Sequence, residues 1–188
     1  MTMGRLTLIL GGARSGKSTF AQQQAAERFT NVAYIATART LDEEMEQRVL
    51  AHRQTRPGHW DTLEIPSGIG ARLKATPLQV DGVVVDCLTM LVTNLLMEIP
   101  SIEEDPTEAA AEAKVQAEVD ELLEVIRDGT ADWIVVSNEV GLGLVPPYPL
   151  GRVYRDLLGR ANQRLAACAD EVFFLVAGIA VPIHAFRK

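Results

Sequence analysis

"LILGGARSGKST", Leu8 to Thr19, carries three apolar residues into Gly11 and Gly12, returns to glycine at Gly16 and closes on Lys17, Ser18 and Thr19. Gly11, Gly16, Lys17 and Ser18 spell G-x-x-x-x-G-K-[ST] in full. The approach, Arg5 to Leu10, reads as a short buried strand, and Ser18 to Glu27 switches to the helix-forming AQQQAAE. Glycines between a strand and a helix let successive backbone N–H groups curl around phosphate oxygens, and the helix behind adds the positive end of its dipole. The segment Gly11, Gly12, Ala13, Arg14, Ser15, Gly16, Lys17 and Ser18 is therefore expected to cradle a nucleoside polyphosphate, with Lys17 on the outer phosphates and Ser18 on Mg2+.

A metal needs a second anchor. Gly82 to Asp86 (GVVVD) reads as a β-branched, fully buried strand that delivers the Asp86 carboxylate at its end, and beside the loop Asp86 reads as that anchor. Further strands are predicted at Val32 to Ala36, Trp133 to Ser137, Glu171 to Val176 and Ala180 to Ala185, the last two joined through Gly178 as an edge hairpin. Helices are predicted from Thr40 to Pro57, where T-x-x-E makes a capping box with Glu43, and over Leu88 to Met97, Thr107 to Arg127 and Arg152 to Ala169. The acidic run Glu103 to Asp105 reads as a solvated helix approach. Alternating strands and helices predict an α/β fold: a mainly parallel sheet with helices on both faces and an antiparallel C-terminal edge strand.

The 188 residues, 47% apolar and 23% charged, fit one domain spanning 1–188 with an aliphatic core. A formal charge of -7 argues against nucleic acid as a partner, because such binding rests on clustered Lys and Arg. Cys87 and Cys168 are too few for a disulfide framework and read as core packing in a reducing, cytoplasmic setting. No run approaches the roughly 20 apolar residues of a membrane span, so no membrane insertion is expected. The guanine-reading N-K-x-D is absent. Asp156-Leu157-Leu158-Gly159 spells D-x-x-G, but inside a predicted helix, where it cannot serve as a nucleotide switch.

On the helix after Thr40, Arg48, His52 and Arg56 are spaced by four and share a face. Flanking guanidiniums keep an imidazole neutral and can grip phosphate, equipment for taking a nucleotidyl group onto nitrogen. Met45, Val49 and His52 also follow an apolar spacing that would make His52 a core-edge residue. Spacing alone leaves both readings open. His59 and His184 read as structural.

The segments GGARSGKS, YIATA, LDEEMEQRV followed by His52 and RP-x-x-W, DCLT with Asn94, NEVGLGLVP, and the run from Arg155 to Gln163, R-D-x-x-G-x-x-N-Q, occur in this order over nearly the whole chain. In these the sequence resembles the bifunctional adenosylcobinamide kinase/adenosylcobinamide-phosphate guanylyltransferases of cobalamin biosynthesis. The resemblance implies a RecA-like P-loop NTPase fold, a homotrimer, and two reactions at overlapping sites. In the first, ATP or GTP phosphorylates adenosylcobinamide; in the second, GMP passes from GTP to adenosylcobinamide phosphate through a guanylyl-His52 intermediate. It further implies nucleotide contacts from Ala36, Thr37, Ala38, Arg53, Gln54, Thr55, Arg56, Glu64 and Asp86, and places Asn138, Glu139 and Gly141 facing the active site. Arg155 and Asp156 stand either as substrate ligands or as a structural ion pair. The competing expectations are a monofunctional small-molecule kinase with a structural His52, and a nucleotide-binding regulatory module.

Overall fold

Runs of aliphatic residues broken by glycine and polar turns build the sheet. The computed structural model describes residues 4–39, 56–100, 102 and 108–186. Along these the order is β1 (Leu6–Gly11), α1 (Lys17–Arg28), β2 (Val32–Ala36), β3 (Asp61–Glu64), α2 (Ile69–Ala75), β4 (Gly82–Asp86), α3 (Leu88–Met97), α4 (Glu108–Asp128), β5 (Asp132–Val136), α5 (Pro149–Cys168), β6 (Glu171–Val176) and β7 (Ile179–Pro182), closed by a 3-10 turn at Ile183–Phe186.

Among the described residues the strands form one seven-stranded sheet in the order β3-β2-β4-β5-β1-β6-β7. All pairings are parallel except β6 with β7. The first strand of the chain thus sits between two of the last, β5 and β6. A parallel sheet must be covered on both faces, and the period of two divides each strand between two cores. Leu8, Val83, Val85 and Val135 point into the larger core with α2 to α5, while Ile9, Val84, Ile134 and Val136 point to the other face, where Ala21 and Ala25 of α1 pack. This is the α/β arrangement expected from the sequence, a mainly parallel sheet with helices on both faces and its antiparallel edge strand in place.

Several local readings are corrected. β3 and α2 went unpredicted: β3 has one aliphatic residue, Leu63, and exposed ends, and α2 has only seven residues with Gly70 inside. α5 begins three residues before the expected Arg152, because Pro149 at the first helical position needs no intrahelical N–H partner. β7 stops at Pro182, so His184 lies in the 3-10 turn, not a strand; its Nδ1 is 3.2 Å from both the N and the O of Val172. Cys168 is exposed at the end of α5 instead of packing in the core, whereas Cys87 is half-buried with its thiol pushed up to about 11 by burial. His59 is exposed in a turn. The expected helix after Thr40, with its capping box, and the acidic run Glu103 to Asp105 lie outside the described residues.

α2 is tied to α4 by one buried carboxylate. Glu118 accepts from the backbone N–H groups of Gly68 and Ile69, each at 2.8 Å, where a short helix exposes unpaired donors and its positive dipole end. Glu118→Ala orphans both donors and is expected to cost about 2 kcal/mol. The measurement is a urea unfolding curve with a lower midpoint and an unchanged slope.

Candidate active site

Because the strands run parallel, β1 to β6 end on one rim of the sheet, the edge at which open α/β sheets place ligands. Register puts Ala36 beside both Glu64 and Asp86, Asp86 beside Val136, and Gly11 beside Leu175. The phosphate loop leaves β1 at this rim. Gly11 takes φ 153° and a Cβ there would lie 2.6 Å from the Leu175 carbonyl oxygen; Gly16 takes φ 95° and its Cβ would lie 3.3 Å from the Cα of Gly178. Glycine is required at both positions, by close approach at the first and by the left-handed backbone at the second. Gly178 N–H donates to the Ser15 carbonyl at 3.0 Å, so the β6–β7 turn braces the loop from outside.

Inside the loop the polar groups stand prepared for an anion. α1 starts at Lys17 with no side-chain cap and no acidic residue in its first turn. The Ser15 hydroxyl is buried without a hydrogen-bond partner, which an oxygen-rich ligand would supply. Lys17 is buried and its Nζ donates to the Gly12 carbonyl at 2.6 Å. Burial lowers its pKa, partly offset by the charges of Cys87 and Asp86.

Asp86 is half-buried at the end of β4, and the Tyr34 hydroxyl donates to its Oδ2 at 2.5 Å. Tyr34 is fully buried, and burial, then the Asp86 charge, pushes its pKa far up, so the phenol keeps its proton. The Arg56 guanidinium lies 3.7 Å from the centre of the Tyr34 ring, a cation–π stack, and its Nε and Nη1 are buried with no hydrogen-bond partner. Trp60 stacks on Tyr34 at 6.4 Å. Two buried, unpartnered nitrogens on a guanidinium that stacks on the ring bonded to Asp86 are suited to receive phosphate oxygens.

The loops after β2 and β4 are sewn together. Thr37 Oγ1 donates to the Cys87 carbonyl at 2.7 Å and accepts from the Cys87 N–H at 2.8 Å, while Asn94 of α3 donates to the carbonyls of Thr37 and Pro66. The structure thus gathers Gly11 to Ser18, Ala36, Thr37, Ala38, Arg56 and Asp86 along one stretch of rim. Glu64 lies further out on β3, lining a separate cavity of about 480 Å³. His52, Arg53, Gln54 and Thr55 fall outside the described residues. Sequence reasoning passed over Tyr34, whose only signal was a hydroxyl-bearing ring inside an aliphatic strand.

A mainly parallel sheet with a braced glycine loop, a buried lysine and a strand-end carboxylate on one rim defines a P-loop nucleotide-binding protein. Within that class, the model of the family described as cobinamide kinase / cobinamide phosphate guanyltransferase matches residues 7–183, and the chain belongs to that family. It is 41% identical over 181 residues to the bifunctional adenosylcobalamin biosynthesis protein CobU of Salmonella typhimurium, covering 95% of this chain and 99% of that one. It is 43% identical over 176 residues to the bifunctional adenosylcobalamin biosynthesis protein CobP of Pseudomonas aeruginosa, covering 94% of this chain and 95% of that one. Among solved structures, a RadB recombinase aligns with a TM-score of 0.49 at 18% identity, over 92% of this chain and 74% of that one. No helix of the described residues is long and apolar enough to cross a membrane.

Lys17 has its pKa lowered from the ordinary 10.5, so the unfolded chain holds this proton more tightly than the folded one. The charged ammonium therefore destabilises the nucleotide-free fold at neutral pH, and the penalty is relieved as pH rises from the folded value toward the ordinary one. Lys17→Met is expected to raise the melting temperature of the nucleotide-free protein by about 2–4 °C per kcal/mol relieved, while nucleotide binding collapses; calorimetry with and without GTP reads both. Tyr34→Phe keeps the stack under Arg56 and removes the donor to Asp86. It leaves the half-buried carboxylate without this partner and is expected to destabilise the fold by about 2 kcal/mol, the worth of one hydrogen bond to a charged group, read as a lower urea midpoint.

Proposed function

We propose that the chain phosphorylates the aminopropanol hydroxyl of adenosylcobinamide with ATP or GTP and then transfers GMP from GTP to the resulting phosphate, releasing pyrophosphate. The observation that carries this reading is the family match across residues 7–183, around a loop whose buried Lys17 and unpartnered Ser15 hydroxyl call for an anion. The names of the relatives, bifunctional proteins of adenosylcobalamin biosynthesis, support the same pair of transfers.

In the kinase step the loop presents the terminal phosphate to the acceptor hydroxyl. The new O–P bond forms as the bond to the bridging oxygen breaks, the hydroxyl's proton is released, and the nucleoside diphosphate leaves with the bridging oxygen. In the second step a ring nitrogen of His52 attacks the α-phosphorus of GTP and pyrophosphate departs with the bridging oxygen. An oxygen of the acceptor's phosphate then attacks the same phosphorus, the N–P bond breaks with the imidazole leaving, and the guanylyl group passes to the acceptor. Lys17 and Arg56 neutralise charge on the phosphates, and the unpaired Arg56 nitrogens are the geometric support for that role. Gly11 to Ser18, Ala36, Thr37, Ala38, Arg53, Gln54, Thr55, Glu64 and Asp86 make up the proposed nucleotide contacts. The Ser18 hydroxyl and Asp86 carboxylate are hard oxygen donors of the kind Mg2+ takes alongside phosphates and water, and the ion, when bound, would offset phosphate charge there. We further propose one domain over 1–188, a cytoplasmic setting, and a homotrimer, for which the exposed Val176, Ile179 and Phe186 near the C-terminal hairpin supply apolar surface.

Incubation with α-labelled GTP tests the second step. An acid-labile label is expected on the wild-type protein and not on His52→Ala, together with both the monophosphate and the GDP-linked corrinoid among wild-type products by mass spectrometry. A fully labelled mutant would remove His52 from the chemistry. Monophosphate as the sole product would leave a kinase alone.

A further inference from the structure

The run R-D-x-x-G-x-x-N-Q has no place in the nucleotide site. Its defined residues, Arg155, Asp156, Gly159, Asn162 and Gln163, fall within α5 at spacings that return to one helical face. All five line a cavity of about 460 Å³ together with Glu139. That cavity adjoins the phosphate loop: Leu10 of β1 is part of its wall, and the Glu139 N–H donates to the Gly11 carbonyl at 3.1 Å.

The helix face is locked to the sheet rim. Buried Asn162 accepts from the Ser137 hydroxyl at 2.6 Å and donates to the Asn138 carbonyl at 3.0 Å, fixing the end of β5 against α5. Arg155 has its Nε on Asp156 at 3.3 Å, and the neighbouring Arg160, which also lines the cavity, pairs with Glu112 of α4 at 2.5 Å. From Gly141, at the edge of the cavity, the chain runs into Leu142, Leu144 and Val145, exposed at 81%, 96% and 64%. A small polar recess beside a phosphate loop, bordered by exposed apolar surface, matches a large acceptor that inserts only a polar end. A site of this volume is at the lower end of ligand-pocket sizes and too small for the whole of a macrocycle.

We propose that this cavity takes the aminopropanol end of the corrinoid acceptor, with Arg155 contacting the acceptor's own phosphate in the guanylyl-transfer step. The assignment rests on the function proposed above and makes Arg155 a specificity residue for the phosphorylated acceptor. A planar guanidinium held on one side by a carboxylate is pre-oriented for phosphate and has little to offer an uncharged hydroxyl. The two acceptor forms should therefore respond differently to its loss.

The experiment compares wild type, Arg155→Ala and Arg155→Lys in the full chain, with adenosylcobinamide and with adenosylcobinamide phosphate as separate acceptors, alongside GTP affinity by calorimetry. Arg155→Ala is expected to raise KM for the phosphorylated acceptor at least tenfold and that for the unphosphorylated acceptor less than threefold, with GTP affinity within twofold. Arg155→Lys is expected to recover part of the loss. An unchanged KM for the phosphorylated acceptor, or equal losses for both acceptors with a lowered melting temperature, makes Arg155 a partner of Asp156 in the fold and overturns the site alone. A wild-type protein that turns over neither acceptor overturns the functional reading, and this site with it.

Discussion

The loop that is to hold phosphate keeps its shape because it has no room to do otherwise. Gly11 abuts the Leu175 carbonyl, Gly16 abuts the Cα of Gly178, and the Ser15 carbonyl is held by the Gly178 N–H. Left to itself, a glycine-rich segment has more backbone freedom than any other and would lose it again at each binding event. Packing it against the β6–β7 turn transfers that ordering cost to folding. The nucleotide then meets amides already turned inward, which is the preorganisation that electrostatic stabilisation requires.

Around this fixed loop the rim carries charge that is not fully compensated within the protein. Lys17 is buried against a carbonyl, Arg56 is stacked on an aromatic ring with two nitrogens unpaired, and Asp86 is restrained by one short hydrogen bond from Tyr34. Burying the Lys17 charge and leaving two Arg56 nitrogens unpaired both cost the fold some stability, since buried charges and unpartnered polar groups are expensive. Tyr34 links two of the three, with its hydroxyl on the carboxylate and its ring under the guanidinium. A single buried side chain thus sets the spacing between a cationic and an anionic element of the site.

How much of this was legible in the sequence follows from what each feature depends on. The loop and strands β1, β2, β4 and β5 were readable because local pattern dictates them: glycines at fixed spacing, and β-branched runs too apolar to lie anywhere but inside. β3 was not, because Asp61–Glu64 has almost no apolar signal and exists by pairing with β2 at an edge. α2 was missed because a seven-residue helix is decided by Glu118, fifty positions away, capping its start. Asp86 was legible as a strand-end carboxylate, but the stack of Arg56 on Tyr34 was not, since nothing in RP-x-x-W or VAYIA says which ring lies under which cation. The D-x-x-G at Asp156 to Gly159 lies within α5, where the helical spacing of its neighbours puts it. The spacing of the Arg155 to Gln163 run was plain; the cavity it faces was not, because the opposite wall comes from β1 and the loop after β5.

The bracing turn has a consequence for the order in which the molecule can be made. Gly16 and Gly178 touch although they are encoded near opposite ends of the sequence, and β1 is flanked by β5 and β6, both translated long after it. As the nascent polypeptide leaves the ribosome, β1 has neither β5 nor β6 to pair with, and the glycine segment behind it lacks its bracing contacts until Leu175 and Gly178 emerge. The loop is therefore synthesised well before the residues that hold it, so an interrupted translation product that stops before the hairpin would carry the complete motif without its brace.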